Sequence, residues 1–195
     1  MSRRALCPRC ERPLSACLCE LVQPVSNRVR VLILQHPSEK RQAKGTARLL
    51  LLSLQHCELR VGEQFAPDPD TNGRYSLLLY PSSPADAMLP AGPPPDVTRL
   101  TQLAGLRLIV LDGTWRKSRK LLYQNPWLQA LPRLPLQSLP APAYRIRRAH
   151  AKHQLSTLEA VACALQQLEG RPAHWQPLWQ SFEAFIAREL ERQRQ

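Results

Sequence analysis

Leu106-Arg107-Leu108-Ile109-Val110-Leu111-Asp112-Gly113-Thr114-Trp115 is the most informative segment of this chain. Its first six residues form an apolar run, broken only by Arg107, that is typical of a strand buried within a parallel sheet. A helical pattern begins at Trp115 and continues through Tyr123. A strand that passes into a helix through such a short polar turn is the building unit of an α/β fold.

Similar units lie on both sides of this segment. Strands are predicted over residues 29–34, 57–61 and 76–80, with a weaker candidate over 134–139. Helical periodicity predicts further helices over residues 38–54, 156–168 and 175–190. Ser38 and Ser156 are expected to cap the first two of these helices. Strands that alternate with helices predict an α/β domain whose mainly parallel sheet is flanked by helices.

Composition and charge limit the classes of protein and point to a partner. The chain has 195 residues, of which 44% are hydrophobic, so it can bury the core of an ordinary domain. Its 27 Lys and Arg residues exceed its 15 Asp and Glu residues, and the net charge of +12 favours a polyanionic partner such as nucleic acid. No apolar run approaches the length of a membrane span, and the first residues do not resemble a secretory signal. We therefore expect a cytoplasmic protein without a membrane partner.

Four cysteines near the N-terminus are spaced C-x2-C-x6-C-x-C, at Cys7, Cys10, Cys17 and Cys19. Two close pairs of thiolates suit a tetrahedral structural Zn²⁺ site, whereas two disulfides would need an oxidising compartment. The spacing predicts a zinc knuckle in residues 1–24, and the α/β domain is expected to follow it in residues 25–195. Cys57 and Cys163 lie in apolar surroundings and are expected to belong to the core.

The ends of the predicted strands are the best candidates for a site, because ligands of open α/β sheets bind beyond the carboxyl ends of the strands. Asp112 stands out there, since it follows five apolar residues and precedes Gly113, which allows a ligand to approach the backbone closely. The chain contains no G-x-G-x-x-G, no P-loop and no H-E-x-x-H, which disfavours a Rossmann dinucleotide domain, an NTPase and a zinc protease.

Basic residues gather around the same loops, and together they predict an RNA-binding face. A solvated surface explains any one group of basic residues. It explains less well three groups that lie beside three candidate loops, over residues 36–39, 112–115 and 144–157. The predicted RNA-binding residues are His36, Arg41, Lys44, Arg48, Arg116, Lys117, Arg145, Arg147, Arg148 and Lys152.

Four motifs follow one another along the chain. They are the cysteine pattern, Gln35-His36-Pro37-x-Glu39, Leu111-Asp112-Gly113-Thr114-Trp115 and Leu155-Ser156-Thr157-x-Glu159-Ala160. This ordered set resembles the DTW-domain proteins, which are tRNA-uridine aminocarboxypropyltransferases, and it implies that residues 25–195 form a catalytic domain. The resemblance implies a fold similar to the SPOUT class, with a C-terminal trefoil knot that holds S-adenosylmethionine. It also implies transfer of the 3-amino-3-carboxypropyl group of S-adenosylmethionine to N3 of a uridine in tRNA.

The site residues expected on this resemblance are one catalytic group and one set of donor contacts. Asp112 is the candidate base for the uridine N3 proton, or a group that orients the uridine. The expected contacts of S-adenosylmethionine are Tyr80, Pro81, Ser82, Leu111, Gly113, Thr114, Trp115, Leu155, Ser156, Thr157 and Glu159. A SPOUT-type RNA methyltransferase and a non-catalytic zinc-knuckle RNA-binding module remain alternatives, and both a monomer and a homodimer stay open.

Overall fold

The structure, a computed structural model, describes residues 5–40, 42, 44–67, 73–81, 92–137 and 155–194. Its centre is a five-stranded sheet with the strand order β2-β1-β4-β3-β5. Each neighbouring pair of these strands is parallel, which confirms the predicted α/β class. The strands are β1 (Arg30–Gln35), β2 (Cys57–Val61), β3 (Tyr75–Leu79), β4 (Leu106–Asp112) and β5 (Arg133–Leu134).

Helices cover both faces of the sheet, and short 3₁₀ turns precede or follow several of them. None of the helices in the described ranges is both long and apolar enough to cross a membrane. The helices are α1 (Ala47–Ser53), α2 (Val97–Leu100), α3 (Trp115–Gln124), α4 (Pro126–Gln129), α5 (Thr157–Glu169) and α6 (Gln176–Arg194).

The alternation of side chains along β1 explains why helices are needed on both faces. Val31 and Ile33 belong to the larger apolar cluster, which includes buried residues of α1, α5 and α6. Leu32 and Leu34 belong to a second cluster with Leu122 of α3 and with α4. Because every β1 residue after Arg30 is buried, the strand can only sit at the centre of a three-layer structure.

The cap of α5 forms as its sequence predicts. The Ser156 hydroxyl accepts the backbone N–H of Glu159, and the Glu159 carboxylate accepts the backbone N–H of Ser156. The helix ends at Gly170, whose φ of 67° lies in the left-handed region that glycine tolerates best.

Two boundaries predicted from the sequence are wrong. Residues 37–39 form a 3₁₀ turn instead of the start of a helix, and α1 begins only at Ala47, after Gly45. His36 caps that turn by accepting the backbone N–H of Ser38 at 3.3 Å, so Ser38 is not the cap. Of residues 134–137 in the strand predicted over 134–139, only Leu134 belongs to β5, because Pro135 has no N–H to continue the ladder; residues 138 and 139 lie outside the described residues.

The cysteine-rich segment packs directly on the sheet-and-helix unit. Cys7, Cys10 and Leu18 are buried in the same apolar cluster as Phe182 of α6. The backbone N–H of Gln23 also donates to a hydroxyl of α6, 3.2 Å away. A division into a knuckle over residues 1–24 and a domain over residues 25–195 stays a prediction.

Candidate functional site

A cavity of about 960 Å³ opens at the carboxyl edge of the sheet. Its walls are formed by the ends of β3, β4 and β5, the loop after β1 and the start of α5. Strands β1 and β4 are neighbours at the centre of the sheet. After β1 the chain crosses to β2 on one side of this pair, and after β4 it crosses to β5 on the other side. This reversal between adjacent strands is the topological switch point at which open α/β sheets bind ligands.

Asp112 lies at that switch point and is the most constrained polar group of the cavity. Asp112 on β4 lies opposite Gln35 on β1 in the strand register, and the Gln35 side-chain amide donates to Oδ2 of Asp112 at 2.7 Å. The Thr157 hydroxyl donates to Oδ1. Asp112 thereby joins β1, β4 and the first residue of α5.

Burial decides the protonation of this carboxyl group. The residue is only 6% exposed, and this burial raises the pKa of Asp112 above its ordinary value. The hydrogen bonds from Thr157 and Gln35 act in the opposite direction, but more weakly. A carboxylate with a raised pKa is a better proton acceptor near neutral pH than an exposed aspartate.

Two helix N-termini face the same cavity. Gly113, Thr114 and Trp115 line it at the start of α3, and Ser156 and Thr157 line it at the start of α5. The first N–H groups of any helix have no intrahelical partner, and the helix dipole adds partial positive charge there. The start of α3 is therefore suited to a carboxylate or a phosphate, whereas at α5 the N–H groups of Ser156, Leu158 and Glu159 already have partners.

The start of α5 is held in place from outside the helix. The hydroxyl of Thr46 accepts the backbone N–H of Leu158 at 3.1 Å. Thr46 is itself buried and lines the cavity. The loop before α1 and the first turn of α5 thus form one hydrogen-bonded wall.

An aromatic corner forms another part of the wall. The rings of Tyr80 and Trp115 meet edge to face, with their centroids 5.8 Å apart. Tyr80 is buried beneath the guanidinium of Arg133, which lies 5.4 Å from its ring centroid, whereas Trp115 is 45% exposed. The exposed indole offers a flat apolar surface to a base or another planar ligand.

Ion pairs fix the loops around the entrance. Lys117 of α3 lies 2.5 Å from the carboxylate of Glu39, which lines the cavity. Glu63 lies 3.0 Å from Nε2 of His36 and 2.7 Å from Nζ of Lys120. The hydrogen bond from Lys120 lowers the pKa of Glu63, so this carboxylate stays ionised.

The four N-terminal cysteines form a site that could hold a metal ion. Their sulfur atoms all lie within 4.8 Å of one another, with 3.6 Å between Cys7 and Cys19 and 3.7 Å between Cys10 and Cys17. These separations exclude disulfide bonds between those sulfur atoms, which need about 2.05 Å. Four ligands about 2.3 Å from a tetrahedral Zn²⁺ would be about 3.8 Å apart, so the sulfur positions fit that ion.

The environments of these thiols are unequal. Backbone N–H groups of Cys10 and Arg9 lower the pKa of Cys7 to about 6. Burial raises the pKa of Cys19 to about 12. A bound cation favours the thiolate form at all four positions.

Arg12 connects the cysteine site to the cavity. Its carbonyl accepts the backbone N–H of Cys7 at 2.7 Å, and its guanidinium donates to the carbonyl of Gly45 at 2.7 Å. A longer contact of 3.4 Å reaches the carbonyl of Gln42. Gln42 and Gly45 both line the cavity, so the cysteine loop supports one of its walls.

Most of the sequence-predicted donor contacts lie together at this cavity. Glu159 does not line it, because its carboxylate is buried in the cap of α5. Ser82 lies outside the described residues. The predicted residues that do line the cavity are Asp112, Tyr80, Pro81, Leu111, Gly113, Thr114, Trp115, Leu155, Ser156 and Thr157.

The predicted RNA-binding residues are more scattered. Lys44 lines the cavity, and Arg116 is exposed near its entrance. His36 is almost buried and contacts Glu63, while Arg48 lies 2.5 Å from the carboxylate of Glu11. Lys117 is paired with Glu39. The remaining members lie outside the described residues, and they are Arg41, Arg145, Arg147, Arg148 and Lys152.

Sequence reasoning missed several cavity residues. Glu39 and the Asp112 partner Gln35 stand in the motif Gln35-His36-Pro37-x-Glu39, so a signal for them was present. Thr46 and Ser118 also line the cavity, and no local pattern distinguishes them from ordinary helix residues. Their role follows only from tertiary contacts.

Comparison with known proteins gives one family. Residues 4–190 match the family model described as "DTW domain". The chain is 28% identical to tRNA-uridine aminocarboxypropyltransferase 2 of Mus musculus, over 97% of this chain and 65% of that protein. Proteins of the same name in Macaca fascicularis and Drosophila melanogaster are each 30% identical, over 86% and 88% of this chain and 57% and 69% of their own lengths. No solved structure matches the chain significantly.

Proposed function

This chain belongs to the DTW-domain family, and we propose that it transfers the 3-amino-3-carboxypropyl group of S-adenosylmethionine to N3 of a uridine in tRNA. The chain spans about 57–69% of the length of the three relatives given above, each of which is named tRNA-uridine aminocarboxypropyltransferase 2. The observation that carries the proposal is the position of Asp112, which lies at the sheet edge between two helix N-termini in one cavity.

The residues of the cavity divide into groups with different tasks. Bound S-adenosylmethionine supplies an electrophilic γ-carbon, whose bond to sulfur breaks as the uridine N3 attacks, releasing methylthioadenosine. The amino-acid carboxylate of the donor requires hydrogen-bond donors, and the first N–H groups of α3 supply them. Tyr80 and Trp115 form an apolar corner against which a planar ring packs.

Asp112 is proposed to accept the uridine N3 proton. The proton moves from N3 to Oδ1 or Oδ2 while the new bond from N3 to the γ-carbon forms. Burial raises the pKa of Asp112, which strengthens it as a base. The contacts with Gln35 and Thr157 hold the carboxylate in one orientation, which allows a rigid sheet to aim it.

Three further features belong to the same proposal. The four cysteines bind Zn²⁺, which stabilises the N-terminal segment against α6. The domain is SPOUT-like, with a C-terminal trefoil knot, and the all-parallel sheet supports this assignment. The net charge of +12 supports tRNA as the partner, and a cytoplasmic location stays a prediction.

Two labelled donors test the activity directly. Purified protein is incubated with bulk tRNA and S-adenosylmethionine that carries label either in the carboxyl carbon or in the methyl group. Aminocarboxypropyl transfer moves only the carboxyl label into tRNA, and mass spectrometry of the nucleosides then finds a modified uridine. Transfer of only the methyl label would identify a methyltransferase. Transfer of neither label, with tRNA still bound, would identify an RNA-binding module.

A further inference from the structure

A second pocket lies at the opposite edge of the sheet. Its volume is about 300 Å³, and it lies at the amino ends of β1 and β2, whereas the main cavity lies at the carboxyl ends of β1, β3 and β4. The pocket is lined mostly by polar and basic residues. They are Ser26, Asn27, Arg28, Arg30, Gln55, His56, Ala104 and Arg171.

Three arginines line this pocket from separate places in the chain. Arg28 precedes β1, Arg30 begins it, and Arg171 follows α5. Within the described ranges, no hydrogen bond or ion pair occupies the side chain of Arg28 or Arg30. Like charges around one pocket repel one another, and a bound anion reduces that repulsion.

Glu169 offsets only part of the positive charge around the pocket. Its Oε1 accepts the backbone N–H groups of Arg28 and Val29, each at 2.9 Å. Its Oε2 lies 3.9 Å from the Arg171 guanidinium, at the limit of an ion pair, and neither oxygen contacts the side chain of Arg28 or Arg30. Asn27 is similarly occupied, because its amide donates to the carbonyls of Val29 and His56. The cations are therefore the groups left to bind a ligand.

The backbone at Arg171 is a second, independent observation. Its φ of 53° lies in the left-handed region, which few residues other than glycine adopt. Gly170 just before it also has a positive φ, of 67°. Strained residues of this kind cluster at binding sites, and here the turn leads the Arg171 side chain to the pocket.

We propose that this pocket binds a backbone phosphodiester of the RNA substrate, away from the reacting uridine. The inference rests on the proposed function. Guanidinium groups bind phosphate oxygens in pairs, and three of them can surround one phosphodiester. Lys44 lines the cavity at the catalytic edge, whereas this pocket holds the RNA at the far edge.

The distance between the two sites suits a structured RNA. Strand β1 runs from Arg30 at the pocket to Gln35, which holds Asp112 in the cavity. Five residue steps of about 3.3 Å separate these ends by about 17 Å. That length corresponds to about five base pairs of a nucleic-acid helix. The pocket can therefore fix the orientation of a helical arm while an unpaired uridine occupies the cavity.

A charge-matched pair of variants tests the pocket. The test variant is R28Q/R30Q/R171N, in which Asn is chosen because it tolerates the left-handed backbone. The control variant R99Q/R192Q/R194Q also removes three positive charges, but from exposed positions on α2 and α6. Binding of fluorescently labelled bulk tRNA is measured at several salt concentrations, and donor affinity and the melting temperature verify folding.

The expected result is a loss confined to the test variant. Its tRNA affinity falls about tenfold below that of the control, and the slope of log affinity against log salt becomes shallower by about 1–3. Equal affinities and slopes in the two variants would overturn the proposal. It would also be overturned if inorganic phosphate raised the melting temperature of the wild type but not of the test variant, while tRNA binding stayed equal. Failure of the proposed function is seen separately, as a wild-type protein that transfers no carboxyl label.

Discussion

Replacing Asp112 separates its chemical role from its structural one. Asp112→Asn keeps the size of the side chain and its hydrogen bonds, because the new carbonyl oxygen can accept the Thr157 hydroxyl. The Gln35 amide can rotate so that its oxygen accepts the new N–H group. Asp112→Ala leaves both partners without an acceptor at a buried position.

The two variants therefore differ in stability and share a loss of turnover. Each buried donor left unsatisfied costs about 1–3 kcal/mol, so the loss of both acceptors in Asp112→Ala is expected to lower the unfolding free energy by about 2–6 kcal/mol. In a chain of this size, that loss lowers the melting temperature by about 4–24 °C. Asp112→Asn is expected to lose less than about 1 kcal/mol, yet its turnover should fall about 10²–10⁴-fold, because an amide cannot accept the N3 proton.

The pH dependence of stability supplies a second check. Burial raises the pKa of Asp112, so between the unfolded pKa and the raised native pKa the folded protein binds more protons than the unfolded chain. The contribution of Asp112 to the free energy of unfolding therefore falls as pH rises through this window, and then stays constant. The Asn variant lacks this contribution. Its stability relative to the wild type should increase with pH until the native pKa is passed.

The assay measures carboxyl-label transfer under single-turnover conditions, together with urea unfolding between pH 4 and pH 8. Donor and tRNA affinities are measured separately, so that a binding defect is not mistaken for a chemical one. Normal turnover in Asp112→Asn would refute the base role and leave Asp112 as an anchor between β1, β4 and α5. A stability difference that stays flat across this pH range would refute a raised pKa.

Three further predictions concern the metal, the cavity wall and the RNA. Replacing Cys17 and Cys19 by Ser should release Zn²⁺ and lower the melting temperature, and metal analysis that finds no zinc in the wild type would contradict the site. Arg12→Met should weaken the binding of S-adenosylmethionine about fivefold in calorimetry while zinc is retained, because the cavity wall at Gly45 loses a hydrogen bond. The control Arg9→Met changes an exposed residue of the same loop and should leave this affinity unchanged. A variant with four alanine replacements, at Arg145, Arg147, Arg148 and Lys152, should bind tRNA more weakly and bind S-adenosylmethionine with unchanged affinity. Its slope of log tRNA affinity against log salt should be shallower by about 3–4, and unaltered tRNA affinity would assign these residues to a solvated surface.

Local patterns were sufficient to predict the sheet and several of its boundaries. The four longer strands form close to their predicted positions because β1, β3 and β4 are short, mainly apolar runs, and β2 alternates apolar and charged residues with the period of a strand. The cap at Ser156 formed as predicted because both of its partners lie within four residues. Interactions of this range can be read directly from the sequence.

The start of α1 shows where local patterns fail. Helical periodicity from Ser38 to residue 54 suggested one long helix, but Pro37 and Gly45 limit the helix to the second half of that segment. Arg12, which is remote in sequence, donates to the carbonyl of Gly45 and so stabilises the irregular loop. A tertiary contact over 33 residues therefore outweighed the periodicity.

The site shows the same division between local and long-range information. Asp112 was predicted because it ends the clearest strand of the chain. Its partner Gln35 was not predicted to contact it, because that contact depends on the register between β1 and β4. Strand register follows from the packing of both sheet faces, which a linear pattern does not contain.

The charges of α3 give a physical reason to expect an anion at its start. Its first turn contains Arg116 and Lys117 and no acidic residue, although cations near a helix N-terminus oppose the dipole by about 0.3–1 kcal/mol each. Glu39 neutralises Lys117 from the loop after β1. Arg116 is exposed and has no such partner within the described part of the chain. A ligand carboxylate or phosphate beside Trp115 would meet free N–H groups, the dipole and this guanidinium together. The arrangement that weakens α3 as an isolated helix therefore strengthens it as an anion-binding edge of the cavity.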